Sequence, residues 1–175
     1  EICFDSSWII TAGAGIQYEA IAGNCIDANQ FEDQTVSYAF EVHYGANLVS
    51  FHALPEDVSL ASVMESLGDA VTGVIGEGVA ASPNELLGWV GSLSAVNPTS
   101  GYRVKVNESS SLCLTEATHL NASETTYDLH FGANLISFPN EDPVDVATAI
   151  PDDVEEAFTG LIGEGVAATP NDILG

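Results

Sequence analysis

At 175 residues and 46% hydrophobic content, the chain can form one domain or two small ones, with enough apolar side chains for a packed core. Its 26 acidic residues against 2 basic ones give a net charge of −24, which repels nucleic acid and anionic membrane and excludes both as partners. No apolar run reaches the ~18 residues of a membrane-spanning helix, so membrane insertion is not expected.

An acidic excess of this size needs a counterweight, because self-repulsion opposes a compact state. Three remain open. High external salt would screen the carboxylates, since the Debye length shrinks to about 3 Å at 1 M. Bound divalent cations would neutralise clusters of them. A solvated acidic surface would simply keep a secreted protein dispersed.

Taken in order, residues 1–36 hold Trp8-Ile9-Ile10 and the stretch from Ile16 to Ile21, punctuated by glycines, and read as short strands. Cys3 and Cys25 are the candidates for a local disulfide, which leaves Cys113 as a buried free thiol. Alternation from Ser37 to Tyr44 predicts a strand, Gly45-Ala46-Asn47 a turn, and Leu48 to Phe51 a further strand with a buried face. Leu60, Val63, Met64 and Leu67 fall on one helical face, so a helix is expected over 59–67. Ser59 or Asp57 would cap it and Gly68 would end it. Val71 to Ile75 reads as a strand, Gly76-Glu77-Gly78 as a turn, and Ser82-Pro83-Asn84 as a loop. Strands follow at Trp89 to Leu93, Tyr102 to Val106 and Leu112 to Leu114, with turns at 98–101 and 107–110. Further on, Pro143 and Pro151 split a helical region into 144–150 and 152–158.

Two stretches are stated twice. His43-Tyr44-Gly45-Ala46-Asn47-Leu48-Val49-Ser50-Phe51 returns as His130-Phe131-Gly132-Ala133-Asn134-Leu135-Ile136-Ser137-Phe138. The block from Thr72 to Ala81 returns at Thr159 to Ala168, at the same offset of 87 residues. From Tyr44 to Gly88, 20 of 45 positions match their partner, so the chain carries an internal duplication. A looser parallel pairs Trp8 with Trp89, Gly15-Ile16 with Gly101-Tyr102, and Cys25 with Cys113. The expected domains are therefore 1–36, the back half of a divergent repeat; 37–125, a complete module; and 126–175, the front half of the next. The expected fold is mainly β (α+β), built of tandem small β-rich modules of about 87 residues, each with one short helix.

No residue pattern assembles a nucleophile, a base and an orienter, so no catalytic residue is assigned and the chain is not expected to be an enzyme. Gly76-Glu77-Gly78 and Gly163-Glu164-Gly165 lack the lysine and spacing of a phosphate loop and suit tight turns. His43 and His130 are equivalent across the duplication, either as ligands or as structural histidines at a strand end. Glu56 and Asp57, and Asp152 and Asp153, are the metal candidates; calcium is the one cofactor they could hold, although favourable charge at helix starts explains them equally. Asn107 and Asn121 open N-x-[ST] acceptor patterns in expected turns, which makes glycans a partner class.

The string Gly45-Ala46-Asn47-Leu48-Val49-Ser50-Phe51, with Gly76 to Ala81, Trp89-Val90-Gly91-Ser92-Leu93 and Gly101-Tyr102, resembles a known repeat family. These are the tandem G-W-N-L-[IV]-S-[FY] … W-x-x-x-L … G-Y-W repeats near the C-termini of secreted and surface proteins, especially of marine bacteria. Ala46 stands where that pattern carries Trp, and Arg103 where it carries the aromatic after Gly-Tyr. The resemblance implies an extracellular or cell-surface location and a non-catalytic role in display, adhesion or assembly.

The expected function is thus an extracellular structural repeat protein, the protomer of a head-to-tail surface filament. Its 175 residues approximate two periods, opening on a back half and ending on a front half, so self-association would complete each broken module. The alternative is an adhesion or carbohydrate-binding module of a larger secreted protein, with a groove lined by Trp8, Trp89, Tyr102 or Tyr127.

Overall fold

The computed structural model describes the side chains and backbone of residues 35–170 and, before them, the backbone of four strands. These are β1 (Ile2–Cys3), β2 (Trp8–Thr11), β3 (Gln17–Ala20) and β4 (Cys25–Ile26). β1 pairs antiparallel with β4 and β2 with β3. The register sets Cys3 opposite Cys25, while the side chains that a disulfide would join lie outside the described residues.

The chain is mainly β, with antiparallel sheets and short helices, and forms two compact units, Glu1–Pro139 and Asn140–Gly175. The first continues with β5 (Thr35–Val42), β6 (Gly45–Val49), β7 (Ala53–Leu54) and α1 (Leu60–Val63). Then come β8 (Val71–Ile75), β9 (Ala80–Asn84), β10 (Gly88–Gly91), β11 (Tyr102–Val106) and β12 (Ser110–His119). One sheet has the order β10-β9-β8-β11-β6 and a second the order β5-β12-β7. The second unit holds α2 (Val146–Ala149) and the hairpin of β13 (Leu161–Gly163) with β14 (Val166–Ala168). Among the described residues no helix is long and apolar enough to cross a membrane.

Both sheets and α1 feed one core. Alternation buries Tyr102, Val104 and Val106 of β11 and turns Arg103 and Lys105 outward, and it buries Leu112 and Leu114 of β12. Leu60, Val63, Met64 and Leu67 are all buried, as their spacing predicts, with Val42, Val49 and Phe51 in the same cluster. Each fully buried large side chain contributes roughly 1.5–3 kcal/mol of transfer free energy.

The α-helix itself is shorter than expected. Ser59 caps it through its hydroxyl, which accepts from the Ser62 N–H at 3.3 Å, and the Asp57 carboxylate accepts from the Ser59 N–H at 3.0 Å. Beyond Met64 the chain tightens into 3-10 turns over Glu65–Ala70, broken at Gly68, whose φ of 50° lies outside helical geometry.

Three further expectations are corrected. Ser82-Pro83-Asn84 is the end of β9, not a loop; Pro83 lies opposite Trp89 of the edge strand β10 and beyond the residues that pair with β8. That hairpin depends on Gly91, where φ is 152° and an added Cβ would lie 2.1 Å from the Ala80 carbonyl oxygen. Cys113 is an exposed free thiol, because the alternation of β12 sends its two leucine neighbours inward instead.

Asn47 is not a turn residue but a buried member of β6 that holds the preceding turn from within. Its Oδ1 accepts from the His43 N–H at 2.9 Å, and its Nδ2 donates to the carbonyls of His43 at 2.9 Å and Val104 at 3.3 Å. Gly45 completes the turn at φ 108°. Asn47→Asp would set a carboxylate oxygen against two carbonyl oxygens. Chemical denaturation should show a loss of about 1–3 kcal/mol or more, larger than that of Asn47→Ser.

Candidate functional site

The duplication is repeated in atomic detail at two places. At the second turn the Asn134 Oδ1 accepts from the His130 N–H at 2.9 Å, Asn134 Nδ2 donates to the His130 carbonyl at 2.9 Å, and Gly132 has φ 110°. This is the arrangement of His43, Asn47 and Gly45. At the second hairpin Leu161 pairs with Ala168 and Ile162 with Ala167, the register in which Val74 pairs with Ala81 and Ile75 with Ala80. Gly78 and Gly165 take the same left-handed backbone, φ 69° and 70°, which presents Glu77 and Glu164 at equivalent points of the two turns.

Within the first unit, the first hairpin and the second turn meet. One carboxylate, that of Glu77, bridges two groups. Its Oε1 is bonded to His130 Nε2, and its Oε2 accepts from the Leu135 N–H at 2.7 Å. Beside it the backbone is stitched: Gly101 N–H donates to the Leu135 carbonyl at 2.9 Å, and Ser137 N–H donates to the Thr99 carbonyl at 3.1 Å. Ser100 and Ile136 form an antiparallel bridge, and the buried Ser137 hydroxyl donates to the Pro98 carbonyl. Gly101 is required by this approach, since a Cβ there would lie 2.8 Å from the Ile136 carbonyl oxygen. The compact unit therefore runs past residue 125 to Pro139, because the leading segment of the second copy is bonded to the first.

The electrostatics follow from the geometry. His130 Nδ1 faces the Phe131 carbonyl at 3.0 Å while Nε2 faces the Glu77 carboxylate, so both ring nitrogens meet acceptors and only the imidazolium can donate to both. The bond to Glu77, helped by that carbonyl, raises the His130 pKa above its ordinary 6.5. The bond to His130, then that from Leu135 N–H, holds the Glu77 carboxyl below its ordinary 4.5. This ion pair stands in a chain of 26 carboxylates and two Lys or Arg residues. What the arrangement does chemically is clamp backbone to backbone, with a charge that depends on pH.

The residues singled out from sequence are distributed differently. Glu56 and Asp57 are exposed before α1, where hydrogen bonds to Ser59 lower the Asp57 pKa, as befits a helix-start carboxylate. Asp152 and Asp153 are exposed in the second unit, and among the described residues neither pair gathers three ligand side chains. Asn107 is exposed in the turn before β12, its Nδ2 donating to the Asp69 carbonyl at 3.3 Å. Asn121 is half-buried, its Oδ1 accepting from Ser123 N–H at 3.2 Å and from the Ser123 hydroxyl at 2.8 Å. Of the four aromatics expected to line a binding groove, three have described side chains. Tyr102 is 2% exposed, Trp89 packs on the core, Tyr127 is half-buried, and the side chain of Trp8 lies outside the described residues.

Sequence reasoning gave Glu77 only a turn. The signal for more was its retention, with that of the histidine, across copies whose intervening helical segments had diverged.

The two shifts define a pH window for the joint. The histidine's contribution is full below 6.5 and is lost as pH rises through its elevated value. The carboxylate's contribution is full above 4.5 and is lost as pH falls through its depressed value. The joint should therefore be tightest between about pH 4.5 and 6.5. An NMR titration should place the His130 midpoint above 6.5, return it toward 6.5 in Glu77→Gln, and show the Leu135 amide moving with it only in the unmodified chain. No protein-family model, curated protein or solved structure matches this chain.

Proposed function

We propose that this chain is a non-catalytic structural repeat protein of the cell surface or extracellular space, whose modules of about 87 residues stack head to tail as a filament. The observation that carries this is the joint. A segment of the second copy adds to the first through main-chain bonds at 99–101 and 135–137, and the Glu77 carboxylate locks it. Main-chain addition binds without needing a particular side-chain ligand, which suits a linker between like modules. The contact is heterologous, since the surface that receives differs from the segment that enters. Repeated by the same operation it extends a row of modules, and without ring closure that row is a fibre.

The residues of the joint are retained in sequence at the same offset. Glu164 corresponds to Glu77, while His43 and Leu48 correspond to His130 and Leu135. The resemblance to tandem repeats of secreted and surface proteins supports the same location and role, and the acceptor patterns at Asn107 and Asn121 suit an exported chain.

A second reading, an adhesion or carbohydrate-binding module, is favoured by one observation. Tyr44 is 73% exposed and Phe131 is fully exposed at equivalent points of the two asparagine-held turns. A rigidly displayed aromatic in each copy is a contact surface for an apolar or sugar face.

Negative-stain electron microscopy of the purified chain separates the two. Filaments are expected for the unmodified chain, unchanged by a calcium chelator. A folded monomer at high concentration would overturn the filament. A glycan-array signal lost on Tyr44→Ala and Phe131→Ala would then put the binding module in its place.

A further inference from the structure

The chain has two basic side chains, Arg103 and Lys105, and the fold sets both on one face of one strand. They alternate with the buried Tyr102, Val104 and Val106 of β11, which has β8 on one side and β6 on the other. Both cations therefore stand near the middle of the outer face of the five-stranded sheet. None of that sheet's strands, β6, β8, β9, β10 or β11, contains an Asp or a Glu. The other sheet differs: Glu41 and Glu116 occupy exposed positions of β5 and β12.

Two further observations bear on this face. Arg103 and Lys105 make no ion pair among the described residues, although carboxylates outnumber them many times over. The side chains around them are small or apolar and exposed: Ala46 and Ala80 beside Ile75 at 40% and Val90 at 46%. A solvated surface in this chain is acidic. A surface whose strands carry no acid, partly apolar and centred on two cations with no ion pair among the described residues, is complementary to the rest of the molecule.

We infer that the outer face of the five-stranded sheet is a lateral docking surface for a second copy of this chain, and that Arg103 and Lys105 receive its acidic segment 152–156. The described part of the second unit carries no basic residue, and Asp152, Asp153 and Glu156 are exposed within that segment. A guanidinium takes a carboxylate through two parallel N–H bonds and an ammonium takes one as a point charge, so two adjacent acids suit Arg103 and Lys105 together. The apolar rim favours a protein partner over a polyanionic chain, because Ile75 and Val90 gain only from contact that removes them from water. A polyanion would also draw most of its affinity from many phosphate-like or sulfate-like contacts, and two cations supply few. This surface is separate from the head-to-tail joint and does not depend on it.

The test is charge exchange, followed by sedimentation velocity at one fixed ionic strength near 150 mM. The unmodified chain should self-associate, and Arg103→Glu with Lys105→Glu should weaken association about tenfold, the sum of a few exposed charge pairs. Asp152→Lys with Asp153→Lys should weaken it similarly, although that variant is less acidic and repels its copies less. Overall charge and the specific contact thus predict opposite signs. Mixing the two variants should restore association. All four substituted positions are exposed, so thermal unfolding should be unchanged, and a Glu77→Gln variant, altered only at the head-to-tail joint, should keep the lateral association. Three results would overturn the inference: association indifferent to both variants, tighter association of the lysine variant, or loss of heparin binding in the glutamate variant with sedimentation unaltered.

Discussion

The first unit depends on β11. It is hydrogen-bonded on both sides, to β6 and to β8, so neither of its edges is available to anything else. Its inner residues Tyr102, Val104 and Val106 join the core, and the Val104 carbonyl takes the third bond of the buried Asn47 amide. Its outer residues are the chain's only Arg and Lys, and the residues leading into it, Pro98 to Gly101, are where the second copy is bonded. Core, turn, joint and cationic face are four uses of one short stretch of chain. Each follows from the two-residue period of a strand and from where the strand begins.

The joint shows how a strongly acidic protein can hold its parts together with few cations. Most of the bonds across it are between backbone groups, which carry no net charge and are insensitive to the surrounding field. The one ionised contact uses a histidine, whose charge is induced by the carboxylate it meets. An Arg or Lys there would stay charged throughout the physiological range, whereas the histidine makes the clamp conditional on mild acidity. Arg103 and Lys105 lie on the outer face of the five-stranded sheet, whose strands contain no Asp or Glu, and they make no ion pair among the described residues.

Much of this architecture was legible in the sequence. The face formed by Leu60, Val63, Met64 and Leu67, the strands Val71–Ile75 and Tyr102–Val106, and the turn at Gly76-Glu77-Gly78 all stand where periodicity and glycine placement put them. These are local signals, in which burial or positive φ dictates residue type within a few positions. Asn47 and Pro83 misled for the complementary reason. Asparagine and proline commonly mark turns, yet Asn47 supports a turn from inside the next strand, and Pro83 is tolerated where β9 has outrun its pairing with β8. Cys113 was misplaced because a thiol carries no sign of which way its strand faces.

The sequence alone determined that the chain is mainly β and that it carries a duplicated unit at an offset of 87 residues. It also marked His43, His130, Glu77 and Glu164 as retained through the duplication, without saying what retained them. Only the tertiary structure decided that Glu77 meets His130 and Leu135, residues more than fifty positions away, and that Gly101 is small to admit the Ile136 carbonyl. It likewise decided that Arg103 and Lys105 share one face of a sheet whose strands contain no Asp or Glu. Periodicity reports which side of an element is buried, but which element lies opposite is set by sheet order and register, and these are global properties of the folded chain.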